Sequence, residues 1–456
     1  MFIKSLVLQI LRFLAVFQLK KMSGKVIGIT GSVGKTTCKD FLFELLKTKY
    51  RVKKTPKSLN SESGVPLAIL NQESGYSNPF LWLKTFLGIF FTLLFDWGRL
   101  DFFVIEMGVD KPGDMEYLLK FIKSSSAIFL GVKPVHTAAF EGFADPLLAI
   151  YQEKKKLVEI LSKDGIAVLN LEDEFMKDDS LLLETLDKNE VSAIDIVDSS
   201  NQARRPLAIA RGRLAGRRLA GLIAISNIFS SASGLEFTLG SGAVGDDLRL
   251  QFSNVLGQGF ALTLGAAAVL AKRLGIGDDV IKQSALNFKL APGRMNLIKG
   301  IKDTIIIDSS YNASKYPMLM ALDVLAEFQN RRKVAVLGDM RELGKLSQAE
   351  HEEVARKASK IAGEIVLVGP LMKEYFLPMA LQGGFPKDKI YWFTDSKEAA
   401  QFVQNDLVKG GEAILVKGSQ NTIFLERVVY ALMLEKEKAK DLLCRQEGSW
   451  GKIRGD

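Results

Sequence analysis

The residues with the clearest chemical meaning form a glycine-rich loop, GITGSVGKTT, at positions 28–37. The apolar run VIGIT (26–30) predicts a buried strand before it, and a helical pattern follows from about Thr36 to Thr48. Glycines let backbone amides approach phosphate oxygens, and the N-terminus of a helix adds a favourable dipole. We therefore expect the loop to bind a nucleoside triphosphate, with Lys35 on the β- and γ-phosphates and the Thr36 hydroxyl on Mg2+.

This phosphate loop departs from the most common spacing at one position. Ile29 stands where the usual pattern has a glycine, so the match is to the variant TGSxGKTT. Strand, loop and helix nevertheless follow one another in the required order, which a glycine turn without a nucleotide would not explain. The residues expected to contact ATP here are Gly31, Ser32, Val33, Gly34, Lys35, Thr36 and Thr37.

Three further side chains could contribute to a phosphate or metal site. Glu106 ends the predicted strand FFVIE (102–106), where a carboxylate beside the phosphate loop is well placed for Mg2+. His136 follows a loop after another strand, and Lys154 lies in the sequence QEKKK (152–156). Taken alone, each has an ordinary explanation: a turn residue, a loop histidine and a solvated helical face.

The elements around these residues predict an α/β fold. Strands at 102–106, 127–131 and 166–170 each precede a polar or Gly/Pro turn, as in parallel sheets with functional loops at the strand C-termini. Residues 191–256 change to a pattern of alternating strands, which we interpret as a small β subdomain or flap. A buried helix rich in Ala and Leu is expected at 259–274.

A second α/β domain is predicted after Ala291-Pro292-Gly293, a sequence typical of a hinge. Strands alternating with helices at this spacing predict a Rossmann-like sheet. The five strands are expected at 304–308, 333–338, 364–369, 389–393 and 413–417. The fold class is therefore α/β, with a central phosphate-loop mononucleotide-binding domain on a parallel sheet and a C-terminal Rossmann-like domain. The expected division is an apolar helix at 1–21, a central domain at 22–290 and a C-terminal domain at 291–456.

The composition of the chain excludes several classes of protein. Its 456 residues are 47% hydrophobic and 25% charged, which favours folded domains over disorder. The net charge of +9 favours acidic partners such as nucleotides, phosphorylated sugars and anionic lipid. Basic blocks interleaved with aromatics do not occur, so nucleic acid is not the expected partner. Cys38 and Cys444 lack the spacing of metal ligands and are consistent with a reducing compartment.

Two apolar stretches leave the question of membrane contact open. Residues 1–19 and 79–95 are mostly apolar but fall short of the roughly 20 clean residues that span a bilayer. Two alternatives remain besides a true span. The helices either pack on the protein and on each other, or they anchor the chain peripherally at a membrane surface. No cleavage site for a secretory signal follows the first stretch, so we expect a cytoplasmic protein, at the inner face of the membrane in the second case.

Taken in chain order, these segments resemble the Mur ligase family, and within it the MurF type, which adds D-alanyl-D-alanine to a UDP-muramoyl-tripeptide. The resemblance extends from about residue 26 to 430, and VLGDMRELG and EMGxxxPGD are more specific to the MurF type than to the superfamily. The matching blocks are GITGSVGKTT (28–37), NSESGVPL (60–67), VIEMGVDKPGD (104–114), GVKPVH (131–136), EKKKLVEILSKDGIAVLN (153–170), APGRMN (291–296), IIDSSYNAS (306–314), VAVLGDMRELG (334–344) and LVKGS (415–419).

The resemblance implies an ATP-dependent, Mg2+-requiring ligase that forms an amide bond through an acyl phosphate. Lys35 and Thr36 would serve the ATP phosphates and a first Mg2+, with Glu106 as another ligand of that ion. His136 matches the ligand of a second Mg2+. Lys154 matches the lysine that CO2 converts to a carbamate in this family, which turns a cation into an anion that can bind or orient the second metal.

Further positions follow from the same resemblance. Asn170 matches the asparagine that ends the next strand, Arg294 an arginine that moves onto the nucleotide phosphates, and Asp308 an aspartate that contacts the ribose. The expected contacts on the substrate side are Thr55, Asn60, Ser61, Asn312 and Asp339. The implied partners are a muramoyl-peptide and a dipeptide, in cytoplasmic peptidoglycan precursor synthesis and, through it, in cell shape and division.

The chain departs from the MurF pattern in four places. MurF-type enzymes usually carry a separate N-terminal domain for the UDP group, where this chain has only the apolar helix, so we expect the acceptor to be held differently or to carry another handle. Serines stand at 58 and 61 where the family prefers asparagine, and Lys156 replaces an acidic residue. Near the expected adenine position, the usual His and Asn are replaced by Gly259, Phe260 and Thr263.

Two other functions remain as alternatives. One is a Mur-type ligase with another substrate, of the folylpolyglutamate or cyanophycin synthetase kind. The other is a membrane-associated ATP-binding protein without catalysis, against which the joint presence of Lys35, Thr36, Glu106, His136 and Lys154 argues.

Overall fold

The computed structural model describes two compact units. The first comprises Met1–Ile228, Glu236–Gln251 and Ala261–Leu286, and the second Phe229–Leu235, Phe252–Phe260 and Asn287–Asp456. Within these bounds the described residues are 2–56, 59–75, 78–96, 98–135, 137–179, 182, 190–196, 219–241, 247–419, 423–446 and 450.

A sheet of nine strands, counted over the described residues, organises the first part of the chain. Its order is β2-β3-β1-β4-β5-β6-β7-β8-β9, and the pairs from β2 to β7 are parallel. The strands are β1 (Lys25–Thr30), β2 (Val52–Lys54), β3 (Phe102–Glu106), β4 (Ser124–Phe129), β5 (Ile166–Asn170), β6 (Glu190–Ile196), β7 (Leu219–Ser231), β8 (Gly234–Ser241) and β9 (Leu248–Phe252).

The centre of this sheet carries the phosphate loop. Strand β1 lies between β3 and β4, and Ile29 pairs with Glu106 while Thr30 pairs with Phe129. Because all three strands are parallel, their carboxyl ends reach the same edge, where loops usually carry function. Burial on both faces explains the apolar runs VIGI in β1 and FFVI in β3, whereas β4 (SSSAIF) begins with three serines and is apolar only at its end.

Nine α-helices among the described residues accompany this sheet. Two of them begin with a cap and proline: the Asn78 side chain accepts hydrogen bonds from Phe80 and Leu81 amides, and Asp145 does the same ahead of Pro146. The helices are α1 (Phe2–Met22), α2 (Lys35–Leu46), α3 (Gly64–Ile69), α4 (Pro79–Phe95), α5 (Asp114–Leu119), α6 (Pro146–Glu159), α7 (Glu174–Asp178), α8 (Phe260–Arg273) and α9 (Asp278–Asn287). Within the described ranges, no helix has both the length and the hydropathy to cross a membrane.

The second unit contains a six-stranded sheet, again counted over the described residues, with the order β10-β11-β15-β12-β13-β14. All pairs are parallel except β10 with β11. The strands are β10 (Asn296–Lys299), β11 (Ile305–Asp308), β12 (Lys333–Gly338), β13 (Glu364–Val368), β14 (Ile390–Phe393) and β15 (Ala413–Lys417). The α-helices are α10 (Lys315–Ala326), α11 (Ser347–Ile361), α12 (Leu377–Gln382), α13 (Ser396–Phe402), α14 (Glu426–Leu432) and α15 (Ala439–Leu442).

The α/β class predicted from the sequence is confirmed, with differences in detail. β4 begins at Ser124 and ends at Phe129, so Gly131 lies in the following loop instead of closing the strand. The antiparallel strand β10 was not predicted from the sequence. The strands of the segment 191–256 continue the nine-stranded sheet, and its residues 197–218 and 242–246 lie outside the described part.

Candidate active site

The backbone of the phosphate loop adopts a conformation that favours glycine. Gly34, directly before α2, has φ +87°, a left-handed conformation that favours glycine. A Cβ atom at this position would lie 2.5 Å from Oγ1 of Thr263, so any other residue would also collide with α8. The helix thus begins without a capping side chain, and its N-terminus faces the loop, as in anion-binding loops of this kind.

Lys35 lies over the phosphate loop. Its Nζ donates hydrogen bonds to the carbonyl oxygens of Gly31, at 2.8 Å, and Ser32, at 3.3 Å. The Ser32 amide in turn donates to the Gly131 carbonyl at 2.9 Å, which ties the phosphate loop to the loop after β4. A cation is therefore already placed where the charge of a triphosphate would fall.

Glu106 is the centre of a buried polar cluster next to this loop. Its Oε2 accepts a hydrogen bond from Thr36 Oγ1 at 2.9 Å and lies 3.4 Å from Lys39 Nζ. Its Oε1 accepts from Asn60 Nδ2 at 3.0 Å, and its amide donates to Thr55 Oγ1 at 3.2 Å. Both Glu106 and Lys39 are almost fully buried, so the ion pair satisfies two charges that would otherwise be costly in the core.

The donor set at this point fits a magnesium ion. Mg2+ prefers oxygen ligands and is usually held by one or two protein groups together with substrate phosphates. Glu106 and Thr36 supply a carboxylate and a hydroxyl oxygen within hydrogen-bond distance of each other, beside the phosphate loop. Lys39 Nζ lies 3.4 Å from the same carboxylate oxygen and compensates its charge.

Lys154 is buried, although the composition of the segment QEKKK around it is that of a solvated helical face. It lies on α6 with 1% of its side chain exposed, and its Nζ donates to the Gly31 carbonyl at 3.3 Å. Burial lowers the pKa of Lys154 well below that of an exposed lysine, and the charge of Lys35 lowers it further. The lowered pKa favours the neutral amine, which is the form that reacts with electrophiles such as CO2.

Lys156, two residues after Lys154, forms an ion pair with Glu153. Its Nζ lies 2.7 Å from Oε2 of Glu153, and Oε1 of the same carboxylate accepts from the Met115 amide at 3.0 Å. The charge of Lys35 contributes to the lowered pKa of Lys154, after burial itself.

The loop after β4 is held by side chains from the end of β5. Asn170 Nδ2 donates to the Leu130 carbonyl at 2.9 Å, and Asp173 Oδ2 accepts from the Val132 amide at 2.6 Å. Burial raises the pKa of Asp173. Gly131, at φ +105°, leaves the space these groups need. His136, the expected second-metal ligand on this loop, lies outside the described residues.

In the second unit, Arg294 stands over an aromatic ring. Its guanidinium carbon lies 4.3 Å from the centroid of Tyr311, within cation–π range. The Tyr311 amide donates to the Gly293 carbonyl at 3.0 Å, and Gly293 has φ +73°. Gly293 of the predicted hinge is therefore hydrogen-bonded to the loop after β11. This hydrogen bond positions the adjacent Arg294.

Asp308 and Lys417 end two adjacent parallel strands, β11 and β15. Asp308 is fully buried; one carboxylate oxygen accepts from the Ser310 amide at 3.0 Å, and the other has no hydrogen-bond partner among the described residues. Burial raises the pKa of Asp308 to about 6. Lys417 donates to the Asn312 carbonyl at 2.7 Å and to Ser309 Oγ at 3.0 Å, and burial lowers its pKa to about 7.

The residues expected on the substrate side all have local partners. Thr55 and Asn60 support Glu106, and Ser61 Oγ accepts from the Gly64 amide at 3.3 Å. Asn312 Oδ1 accepts from the Ala313 amide, and the buried Asp339 accepts from the Met372 amide at 2.9 Å. Their contact with substrate stays a prediction, and Ser58 lies outside the described residues.

Comparison with protein families identifies both halves of the chain. The Mur ligase middle domain matches residues 29–204, and the Mur ligase glutamate ligase domain matches residues 293–420. Together they cover about two thirds of the chain. The chain belongs to the Mur ligase family.

Two curated relatives of this Mur ligase carry the same name. UDP-N-acetylmuramoyl-tripeptide–D-alanyl-D-alanine ligase of Bacillus subtilis is 25% identical over 93% of this chain and 79% of its own length. The enzyme of that name from Escherichia coli is 27% identical over 77% of this chain and 65% of its own length.

Solved structures of this family share the fold. MurF from Acinetobacter baumannii superposes with a TM-score of 0.70 at 23% identity, covering 92% of this chain and 79% of its own. MurF from Thermotoga maritima, solved with ADP, gives 0.69 at 24% identity, covering 94% and 84%.

Sequence reasoning missed three features of this Mur ligase. Lys39 lies one helical turn after Thr36, and that spacing could have indicated a partner for Glu106. Lys417 closes the apolar strand AILVK, where a lysine is unexpected. The third is the buried pair of Arg445 and Glu426, in which Arg445 also donates to the Tyr311 carbonyl at 2.8 Å. Nothing in the spacing of the sequence indicated that pair.

Proposed function

We propose that this Mur ligase transfers the γ-phosphate of ATP to a substrate carboxylate and then joins the acyl phosphate to an amine. The proposed substrates are a UDP-N-acetylmuramoyl-tripeptide and D-alanyl-D-alanine, as named for the curated relatives. The reaction would serve peptidoglycan precursor synthesis in the cytoplasm. The observation that carries this proposal is the contact of Thr36 with Glu106 beside the lysine of the phosphate loop.

The residues of the phosphate loop would bind and orient the triphosphate. Backbone amides of the loop, apart from the Ser32 amide that is bonded to Gly131, would donate to the phosphates, and Lys35 would exchange its two carbonyl partners for the β- and γ-phosphate oxygens. Phosphoryl transfer to a carboxylate needs neutralisation of phosphate charge more than covalent help. Mg2+, bound with ATP, would supply the remaining positive charge, with Thr36 and Glu106 as its protein ligands.

Lys154 is proposed to carry a carbamate derived from CO2. Its nitrogen attacks the carbon of CO2 and loses a proton, which converts a neutral amine into an anion. Burial supports this because it lowers the pKa of Lys154 and so favours the unprotonated amine, and Lys35 beside it would stabilise the negative product. His136 and this carbamate would then hold a second Mg2+.

The second unit would contribute to nucleotide binding. Arg294 is proposed for the phosphates, where a planar guanidinium can bind two oxygens at once. Asp308 is proposed for the ribose, since its unpartnered buried oxygen is an acceptor for a hydroxyl group.

The decisive experiment measures ADP and phosphate release with each substrate omitted in turn. We expect release to require ATP, Mg2+, the muramoyl-tripeptide and D-alanyl-D-alanine together, with a peptide product of the summed mass. Release that is indifferent to both peptide substrates would contradict the proposal.

A second candidate is a Mur-type ligase that adds a single amino acid. The matching C-terminal family is described as a glutamate ligase domain, which favours testing glutamate. A panel of acceptors with glutamate, other amino acids and dipeptides separates the two candidates, because a folylpolyglutamate or cyanophycin synthetase-like enzyme would turn over with single amino acids.

A further inference from the structure

Helix α4 turns most of its polar side chains towards the protein and most of its apolar side chains towards the solvent, which is the reverse of an ordinary surface helix. Its threonines face the protein: Thr85 Oγ1 donates to the Glu73 carbonyl at 3.0 Å, and Thr92 Oγ1 accepts from Gln72 Nε2 at 3.3 Å. Gly88 faces the same way, since a Cβ there would lie 2.2 Å from the Gln72 side chain. A helix exposed to water normally places its polar residues outward.

The outward face of α4 is almost entirely apolar. Eight large apolar side chains are exposed on it, and Lys84 is the one polar exception among its described exposed positions. Phe80 and Phe95, near the two ends, are 82% and 74% exposed. Phe91 stacks on Phe95 at 6.2 Å between ring centroids, so the exposed rings contact one another. Contiguous apolar surface of this kind marks an interaction site.

Helix α1 adds a second exposed apolar stripe. Leu11, Ala15 and Met22 are buried against the core that also contains Ile89 of α4. The opposite face exposes side chains at helical spacing, and these are Leu6, Ile10, Phe13 and Phe17. The C-terminal ends of the two helices meet, because Lys21 Nζ donates to the Leu93 carbonyl and Gln18 Nε2 donates to the Asp96 carbonyl.

The charges of both helices have one sign. Neither α1 nor α4 contains an aspartate or glutamate, whereas Lys20 and Lys84 are exposed on them. A protein partner would require hydrogen-bonding groups in its interface, roughly one bond per 100–200 Å2. The α4 face offers only the ammonium of Lys84 for that purpose, while a lipid surface needs none. Phe and Leu with basic neighbours are the composition of helices that lie in the interface of an anionic bilayer.

We propose that the exposed faces of α1 and α4 dock this protein on the surface of an anionic phospholipid bilayer. The helices lie in the plane of the interface and do not cross it. With 17 residues α4 is about 25 Å long, shorter than the hydrocarbon core of about 30 Å, and its inner face is held by the protein. This inference does not depend on the proposed ligase activity.

The test measures flotation of the full chain, without substrates, with two kinds of vesicle. One consists of phosphatidylcholine alone, and the other also contains about 30% phosphatidylglycerol. We expect binding to the anionic vesicles that weakens as salt is raised. Leu87→Glu with Phe91→Glu, both on the exposed face, should reduce the bound fraction about tenfold or more. The control pair Val280→Glu with Leu297→Glu adds the same charge at exposed apolar positions elsewhere and should bind like the wild type.

Three outcomes would overturn the proposal. The first is that the wild type does not float with anionic vesicles, and the second is that the Leu87→Glu/Phe91→Glu variant floats as well as the control variant. The third is that the wild type is a dimer, that the Leu87→Glu/Phe91→Glu substitutions dissociate it, and that no vesicle binding occurs. The last result would assign the face to a second copy of the chain. Thermal unfolding of each variant checks that it is folded, and ADP release in solution reports separately on the ligase proposal.

Discussion

The Thr36 hydroxyl and the Glu106 carboxylate are joined by a hydrogen bond of 2.9 Å between Oγ1 and Oε2, although 70 positions separate them in the chain. One belongs to the first turn of α2 and the other to the last position of β3. The parallel pairing of β1 with β3 brings these two points to the same sheet edge. An oxygen pair suited to Mg2+ therefore forms beside the phosphate loop that carries Lys35.

Replacement of Lys35 by alanine should strongly reduce turnover. Its Nζ is the cation that lies over the phosphate loop, and loss of one such stabilising group typically costs about 100- to 1000-fold in rate. ADP release under saturating ATP measures the effect. Lys47→Ala, at the exposed end of the same helix, is the control and should keep its activity. If Lys35→Ala turns over like this control, the loop does not bind the triphosphate in the proposed way.

Lys39→Met should destabilise the fold. The substitution leaves the buried Glu106 carboxylate without its counter-ion, and breaking one side of a buried pair costs about 3 kcal/mol or more. Urea unfolding in the absence of Mg2+ and nucleotide gives the free energy of unfolding. Lys54→Met removes a more exposed ion pair with Asp40 and should cost less than about 1 kcal/mol. Equal losses in the two variants would show that burial of the Lys39 pair does not matter.

Lys154 should incorporate label from 13C-bicarbonate at neutral pH. Burial lowers its pKa well below that of an exposed lysine, which favours the unprotonated amine that reacts with CO2. Carbon-13 NMR of the protein should show a carbamate resonance that is absent in Lys154→Arg and present in Lys156→Arg. ADP release by Lys154→Arg should fall about a hundredfold. A resonance that survives in Lys154→Arg would assign the carbamate to another residue.

Lys417 should make stability increase with pH. Burial lowers its pKa to about 7 in the folded protein, from 10.5 for an exposed lysine. Between these values the unfolded chain binds a proton that the folded chain does not bind, so raising the pH favours the folded state. The difference in unfolding free energy between wild type and Lys417→Met should rise by up to about 1.4 kcal/mol per pH unit from pH 7 to 10. Lys440 is an exposed lysine of the same unit, and Lys440→Met should show no such rise. If the difference in unfolding free energy between wild type and Lys417→Met does not change with pH, the burial argument is contradicted.

The sequence by itself determined the α/β class and the phosphate loop. Apolar runs such as VIGIT and AILVK are strands because a parallel sheet buries both faces, and the glycines at 31 and 34 occupy positive-φ positions that other residues disfavour. These are local properties of the chain, so pattern and spacing are sufficient to find them. The Mur ligase motifs are likewise local stretches of sequence, and they were sufficient to indicate the family.

The tertiary structure alone decided which side chains meet and which are withdrawn from water. QEKKK reads as a solvated face, yet Lys154 is buried, because α6 packs one side against the sheet while Lys156 points to Glu153. The pairing of Glu106 with Lys39 and the outward direction of the apolar face of α4 likewise depend on which neighbours the fold supplies. Burial and contact between residues distant in the chain are properties of packing, which helical or strand periodicity does not record.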